Sequence, residues 1–138
     1  MTGSEVVDAL RANYFEPQGF GVRTDTDAAG FARLVVRVRR GDVDRRLFGL
    51  RFVDFPLAPP TLRFWTLARW EDGDFDFDFT TPGETSSGLV TAKSGVPTMC
   101  IPYHADYYKN EWHTDKPWTA GSAEDHVADL VENILRRS

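Results

Sequence analysis

"RLFGLRFVDFPLAPPTLRFW", residues 46–65, decides the fold. Its first half alternates with a period of two. Leu47, Gly49, Arg51 and Val53 share one side of an extended chain, and Phe48, Leu50, Phe52 and Asp54 share the other. Successive strand side chains point to opposite faces, so the pattern predicts a strand over 46–55 with a strongly apolar face. Pro56, Pro59 and Pro60 interrupt it. Proline has no N–H and restricts the residue before it, which predicts an extended, non-helical path through 55–60. "TLRFW" (61–65) then resumes as one more strand.

Upstream, "FARLVVRV" (31–38) alternates and is rich in β-branched residues, and "FGVRTDT" (20–26) is a weaker strand of the same kind. "DAAG" and "GDVD" supply turn residues between the runs, so neighbouring strands pair antiparallel in a meander. Ahead of them, Val6, Val7 and Leu10 have helical spacing, with Ser4 placed to cap and Pro17, Gly19 and Gly21 placed to stop the helix. Downstream, "DGDFDFDFTT" (72–81) puts Phe75, Phe77 and Phe79 on one face and carboxylates on the other, and "TPGETSSG" (81–88) reads as a loop. "TAGSAEDHVADLVENILRR" (119–137) is the strongest helical stretch. Ser122 is its N-cap, Glu124 and Asp125 lie in the first turn, and Val127, Leu130, Val131, Ile134 and Leu135 form its apolar stripe. The predicted class is α+β: an N-terminal helix, a four-stranded antiparallel meander, a long irregular stretch and a C-terminal helix, in one domain over 1–138.

Composition narrows the functions. The chain of 138 residues carries 16 basic and 21 acidic residues, a net charge of −5. Binding to a phosphate backbone needs a basic face, so nucleic acid is not the expected partner. Positive charge does cluster in "RVRRGDVDRR" (37–46), either as solvated residues at a strand–turn–strand or as a face for an acidic partner. No apolar run approaches the roughly 20 residues of a membrane span, and "MTGSEVVDAL" has neither the basic start nor the apolar run of an export signal. A single cysteine forms no internal disulfide, so the cytoplasm is the expected compartment. The Arg, Asp, Ala and Val usage fits a GC-rich bacterial source.

That one cysteine, Cys100, sits in "TAKSGVPTMCIPYH" (91–104), where prolines and a glycine bar a long helix or strand. Lys93 precedes it by seven residues and His104 follows it by four. A packed small hydrophobe and a nucleophile are the two readings of such a residue.

The order of elements, with two word-like stretches, resembles the ubiquitin-conjugating enzyme (UBC-like) fold. "FPLAPP" (55–60) has the form of that family's aromatic–Pro–x–x–Pro–Pro turn after the third strand. "GVPTMCI" (95–101) resembles its acceptor-cysteine context, with four residues rather than two between Gly95 and Cys100. Trp118 precedes the last helix as a family tryptophan does. The likeness spans residues 4 to 137. The family's usual His-Pro-Asn is replaced by Thr91-Ala92-Lys93, the triplet found in a divergent branch, the conjugating enzymes of the ubiquitin-fold modifier, which also have a histidine four residues after the cysteine. A small bacterial conjugating enzyme is what the resemblance implies. The resemblance further implies that Cys100 accepts a ubiquitin-like modifier as a thioester from an activating enzyme and passes it to a target amine, with or without a ligase. ATP is spent upstream, so no cofactor is expected here.

Such chemistry needs a thiolate and a donor for the oxyanion of each tetrahedral intermediate. Lys93 and His104 can supply a cation; Thr91, Lys93, His104 and loop N–H groups can supply a donor. Asp106 can orient His104 or lower the pKa of an incoming lysine. Two other readings stand beside this one: a UBC-like module that binds a ubiquitin-like protein without chemistry, and a cysteine hydrolase using Cys100, His104 and Asp106. Cys100, His104, Asp106 and His113 are ligand types, but no C-x-x-C or H-x-x-x-H spacing joins them, so no metal site is expected. The acidic run 72–78 lacks the glycine and glutamate of a calcium loop.

Overall fold

Thr2, two residues ahead of the expected Ser4, caps the first helix. The computed structural model describes residues 1–78, 88–92, 95–109 and 113–138. Helix α1 spans Gly3–Leu10; Thr2 Oγ1 accepts from the Glu5 N–H at 3.2 Å, and Glu5 Oε1 accepts from the Thr2 N–H at 3.0 Å. This reciprocal box satisfies two orphan donors. Ser4 has Val7 three residues on and offers no such partner. Val6, Val7 and Leu10 are buried as the spacing predicts, and the chain turns out at Gly19, whose φ of 72° suits a residue without Cβ.

The meander is present: β1 (Gly21–Thr26), β2 (Ala32–Arg40), β3 (Val43–Arg51) and β4 (Thr61–Trp65) pair antiparallel in chain order. The register sets Val36 beside Phe48 and Phe48 beside Phe64, so one face carries a continuous apolar surface. That face packs on α1 and on α3 (Ala123–Arg136), whose Val127, Leu130, Val131 and Ile134 are fully buried. Burying such a side chain is worth ~1.5–3 kcal/mol, so this stripe fastens α3 to the shared core. Ser122 occupies the N-cap position of α3, yet its side chain makes no capping bond.

The basic run at the β2–β3 turn is held by the protein itself. Arg39 and Arg37 lie 2.9 and 3.8 Å from Asp44, Arg40 donates to the Leu135 carbonyl at 2.9 Å, and Arg46 is buried. Arg40, Asp42 and Arg45 are exposed at this strand–turn–strand, as the solvated reading expects.

One expectation for the chain around β4 changes. The 55–60 segment is a closed turn and not an extended path. Asp54 adopts φ 52°, the Phe55–Pro56 bond is cis, and the Ala58 N–H donates to the Asp54 carbonyl at 3.2 Å. Trp118 Nε1–H donates to the Pro56 carbonyl at 3.0 Å and pins this turn to the approach of α3. The acid–aromatic run, over its described part, belongs to the irregular stretch as expected. Arg69–Asp72 forms one helical turn, α2, and residues 73–78 are irregular. The alternation survives as packing: Phe75 and Phe77 meet Trp65 edge-on at 5.3 and 5.1 Å, while Asp74, Asp76 and Asp78 are exposed. Phe79 lies outside the described residues. Among those residues no helix is long and apolar enough to cross a membrane.

This outer layer depends on Gly49. A Cβ there would meet Phe77 Cζ and Trp65 Cη2 at 2.7 Å each, inside any allowed contact. Gly49→Ala is therefore expected to lower stability by about 1–3 kcal/mol, read as a fall in the urea midpoint. An unchanged midpoint would show that the Phe77 layer is not packed as described.

Candidate active site

A small hairpin leads to the cysteine. β5 (Val90–Thr91) pairs with β6 (Pro97–Thr98), Gly95 turns at φ 87°, and the Ala92 N–H donates to the Val96 carbonyl at 2.8 Å. Past β6, Met99 and Ile101 are buried in the main core, and Cys100 between them faces outward and is exposed. Beyond it, Tyr103 (φ 78°) redirects the chain into the 3-10 turn Ala105–Lys109. The Ala105 N–H donates to the Pro60 carbonyl at 2.8 Å and moors that turn near the start of β4.

The group facing the sulfur is His113. Its Nε2 lies 3.6 Å from Cys100 Sγ, within the longer reach of sulfur. Its Nδ1 is 2.7 Å from the Tyr107 carbonyl. A carbonyl only accepts, so Nδ1 carries the hydrogen and Nε2 of the neutral ring presents a lone pair to the thiol. Tyr107 also stacks its ring on the imidazole, 3.9 Å between centroids and 8° from parallel. The Tyr107 hydroxyl donates to Asp115 at 3.0 Å, and burial pushes its pKa up to about 12. One residue thus fixes both the tautomer and the plane of His113. Sequence reasoning placed His113 only among possible metal ligands. Thirteen residues from Cys100, in a stretch without periodicity, nothing local marks it as a partner.

His104 stands elsewhere than expected. It is 0% exposed, and its Nε2 lies 2.9 Å from the Met99 carbonyl, so Nε2 is the donor and Nδ1 the bare acceptor. Burial pushes its pKa down to about 4, against the bond to Met99 and the charge of Asp106. At neutral pH it is no cation beside sulfur, and an uncharged acceptor nitrogen cannot donate to an oxyanion. Asp106 does not orient it. The Asp106 carboxylate is buried, 2.7 Å from Arg63 Nη1 and 3.1 Å from Lys109 Nζ. Cys100, His104 and Asp106 therefore form no nucleophile–base–orienter chain. Thr91 is exposed on β5, and Lys93 lies outside the described residues.

These groups surround one cavity of about 80 Å³, lined by Thr91, Thr98, Cys100, His104, Tyr107 and His113 among others. Among the described residues no group of three or more His, Cys, Asp or Glu is placed to hold a metal ion.

Two measurements check this assignment. Asp106→Ala leaves the Arg63 guanidinium buried without its carboxylate, so stability should fall by about 3–5 kcal/mol in urea unfolding. A surface-like change below about 0.5 kcal/mol would contradict the buried pair. The His104 imidazole has a folded pKa of about 4, below the ordinary ~6.5 of an unfolded chain. Between those values the unfolded chain binds more protons. The stabilisation is thus complete above pH 6.5 and is lost as pH falls toward 4. From pH 7 to pH 5 this amounts to about 2 kcal/mol, and His104→Phe should remove most of that slope.

No family model, curated protein or solved structure matches the chain.

Proposed function

We propose that the protein is a conjugating enzyme with a UBC-like fold that carries a ubiquitin-like modifier as a thioester on Cys100. The observation that carries this reading is the exposed Cys100 thiol held 3.6 Å from the lone-pair nitrogen of His113, at the edge of an antiparallel meander flanked by two helices. The order of elements, the proline turn and Trp118 seated on that turn support it as well.

In the proposed reaction the Cys100 proton passes to His113 Nε2 as Sγ attacks the thioester carbonyl presented by the activating enzyme. The tetrahedral intermediate expels the activating enzyme's thiolate, which takes the proton back from His113. A target amine then attacks the new thioester and gives its proton to His113, and Cys100 leaves as thiolate and is reprotonated. Positioned proton transfer of this kind contributes ~10²–10⁴-fold. Carbon–sulfur and carbon–nitrogen bonds are exchanged without any redox change.

The same contact favours one second reading, a cysteine hydrolase in which His113 replaces His104 as base and the Tyr107 carbonyl orients it. There, water takes the place of the amine. Incubation with the cognate modifier, its activating enzyme and ATP separates them. A band on a non-reducing gel that vanishes with thiol reductant and is lost in Cys100→Ala is expected, with discharge at least tenfold faster with free lysine than with buffer alone. His113→Ala should slow formation and discharge by about 100-fold. Discharge that ignores lysine would make the protein a hydrolase, and a band that persists in Cys100→Ala would sink both readings.

A further inference from the structure

Helices α1 and α3 leave a groove of about 230 Å³ between them. Ala9 on α1 and Ala128 on α3 are half-buried along it, Leu10 and Val127 lie buried beneath, and Met1, 56% exposed, borders it. Asn13 and Tyr14 line it from Arg11–Phe15, which continues α1 as a π-helical turn. Such turns are rare, and they recur at functional sites. A cavity of roughly 150 Å³ admits a benzene ring, so this groove has room for one large apolar side chain. It is smaller than the pockets that enclose a drug-sized ligand.

The α3 side of the groove is acidic. Glu124 lines it, and the Tyr14 hydroxyl donates to Glu132 Oε1 at 3.3 Å. Burial, then Glu132 and Asp129, push the Tyr14 pKa up, so both charges are felt at the groove. The helix itself gains little from Asp129. The macrodipole favours acid in the first turn, which already holds Glu124 and Asp125. Asp129 follows Asp125 by four residues, a spacing at which like charges repel. The amino group of Met1, 3.7 Å from Glu124, offsets one charge, and Arg11 is held by Glu16 at 2.5 Å.

An apolar floor with an acidic side fits a helix that carries an apolar stripe flanked by cations. We infer that this groove docks a basic amphipathic helix of a partner protein, which sets one large apolar side chain against Ala9, Ala128 and Tyr14 and its Lys or Arg residues against Glu124, Asp129 and Glu132. Cys100 lines a separate cavity, and the two share none of their described residues, so this docking is independent of the chemistry proposed for the thiol.

Four Ala-rich peptides of about 20 residues, long enough to be helical, test this on the full chain. They carry Lys or Glu beside the stripe, and Trp or Ala at one central position. Binding is read from the backbone amide shifts of the isotope-labelled protein. The Lys/Trp peptide should bind with its largest shifts at Ala9, Asn13 and Ala128, about tenfold tighter than its Ala or its Glu counterpart. Ala128→Phe fills the groove and should abolish the advantage of Trp. Asp129→Lys, at an exposed position outside the core, should cut the advantage of Lys about threefold, and added salt should remove the rest. Equal affinity of the Lys and Glu peptides, shifts centred elsewhere, or no shifts at all would overturn the proposal. Groove shifts that appear with rising protein concentration alone would overturn it too, by assigning the groove to a second copy of this chain.

Discussion

Arg63 ties together the parts of this fold that have no ladder of their own. From the middle of β4 its guanidinium donates to the Phe77 carbonyl at 2.7 Å and to Asp106 at 2.7 Å. The first bond holds the irregular outer layer, and the second holds the turn that follows the cysteine. Taking an ion pair out of water is costly, and that cost is recovered only where geometry is good and remaining hydrogen-bonding capacity is used. Arg63 meets that condition with carbonyls of Leu62 and Phe77 as well as the carboxylate, and Lys109 reaches the other Asp106 oxygen. The pair is a strut between the sheet and the turn after Cys100, and it turns the Asp106 carboxylate to Arg63 and Lys109.

The site itself is oriented by backbone carbonyls. Met99 fixes the tautomer of His104 and Tyr107 fixes that of His113, so the two rings present lone pairs in different places. One lone pair faces the thiol and the other is buried. Imidazoles of the same type in one short stretch thus acquire distinct roles because their depth and their carbonyl partners differ. Burial holds the His104 ring uncharged across the neutral pH range, with its pKa at about 4.

The outer face of the sheet shows how a sequence pattern outlives the structure it usually announces. Phe and Asp alternate over 73–78 with a period of two, which is the strand's signature, yet the segment is irregular. The period is kept here by Phe75 and Phe77 packing on Trp65 above the bare Cα of Gly49, with no strand among the described residues paired to it. Likewise, prolines in 55–60 exclude a helix, but whether the chain runs on or folds back depends on Asp54 and on the Trp118 indole bound to Pro56.

The amino-acid sequence by itself determined the helix–meander–helix order, the two faces of β3 and the buried stripe of α3, because periodic burial is written locally into spacing. Cys100 was legible as a candidate because it is the sole cysteine in a segment broken by proline and glycine. The partner of its sulfur was not. His113 reaches Cys100 from thirteen residues away only after the 105–109 turn is moored to Pro60 and Arg63, and His104, nearer in sequence, is carried inward by the same turn. Proximity along an irregular chain says little about direction, and direction here is set by hydrogen bonds between segments that no local pattern encodes.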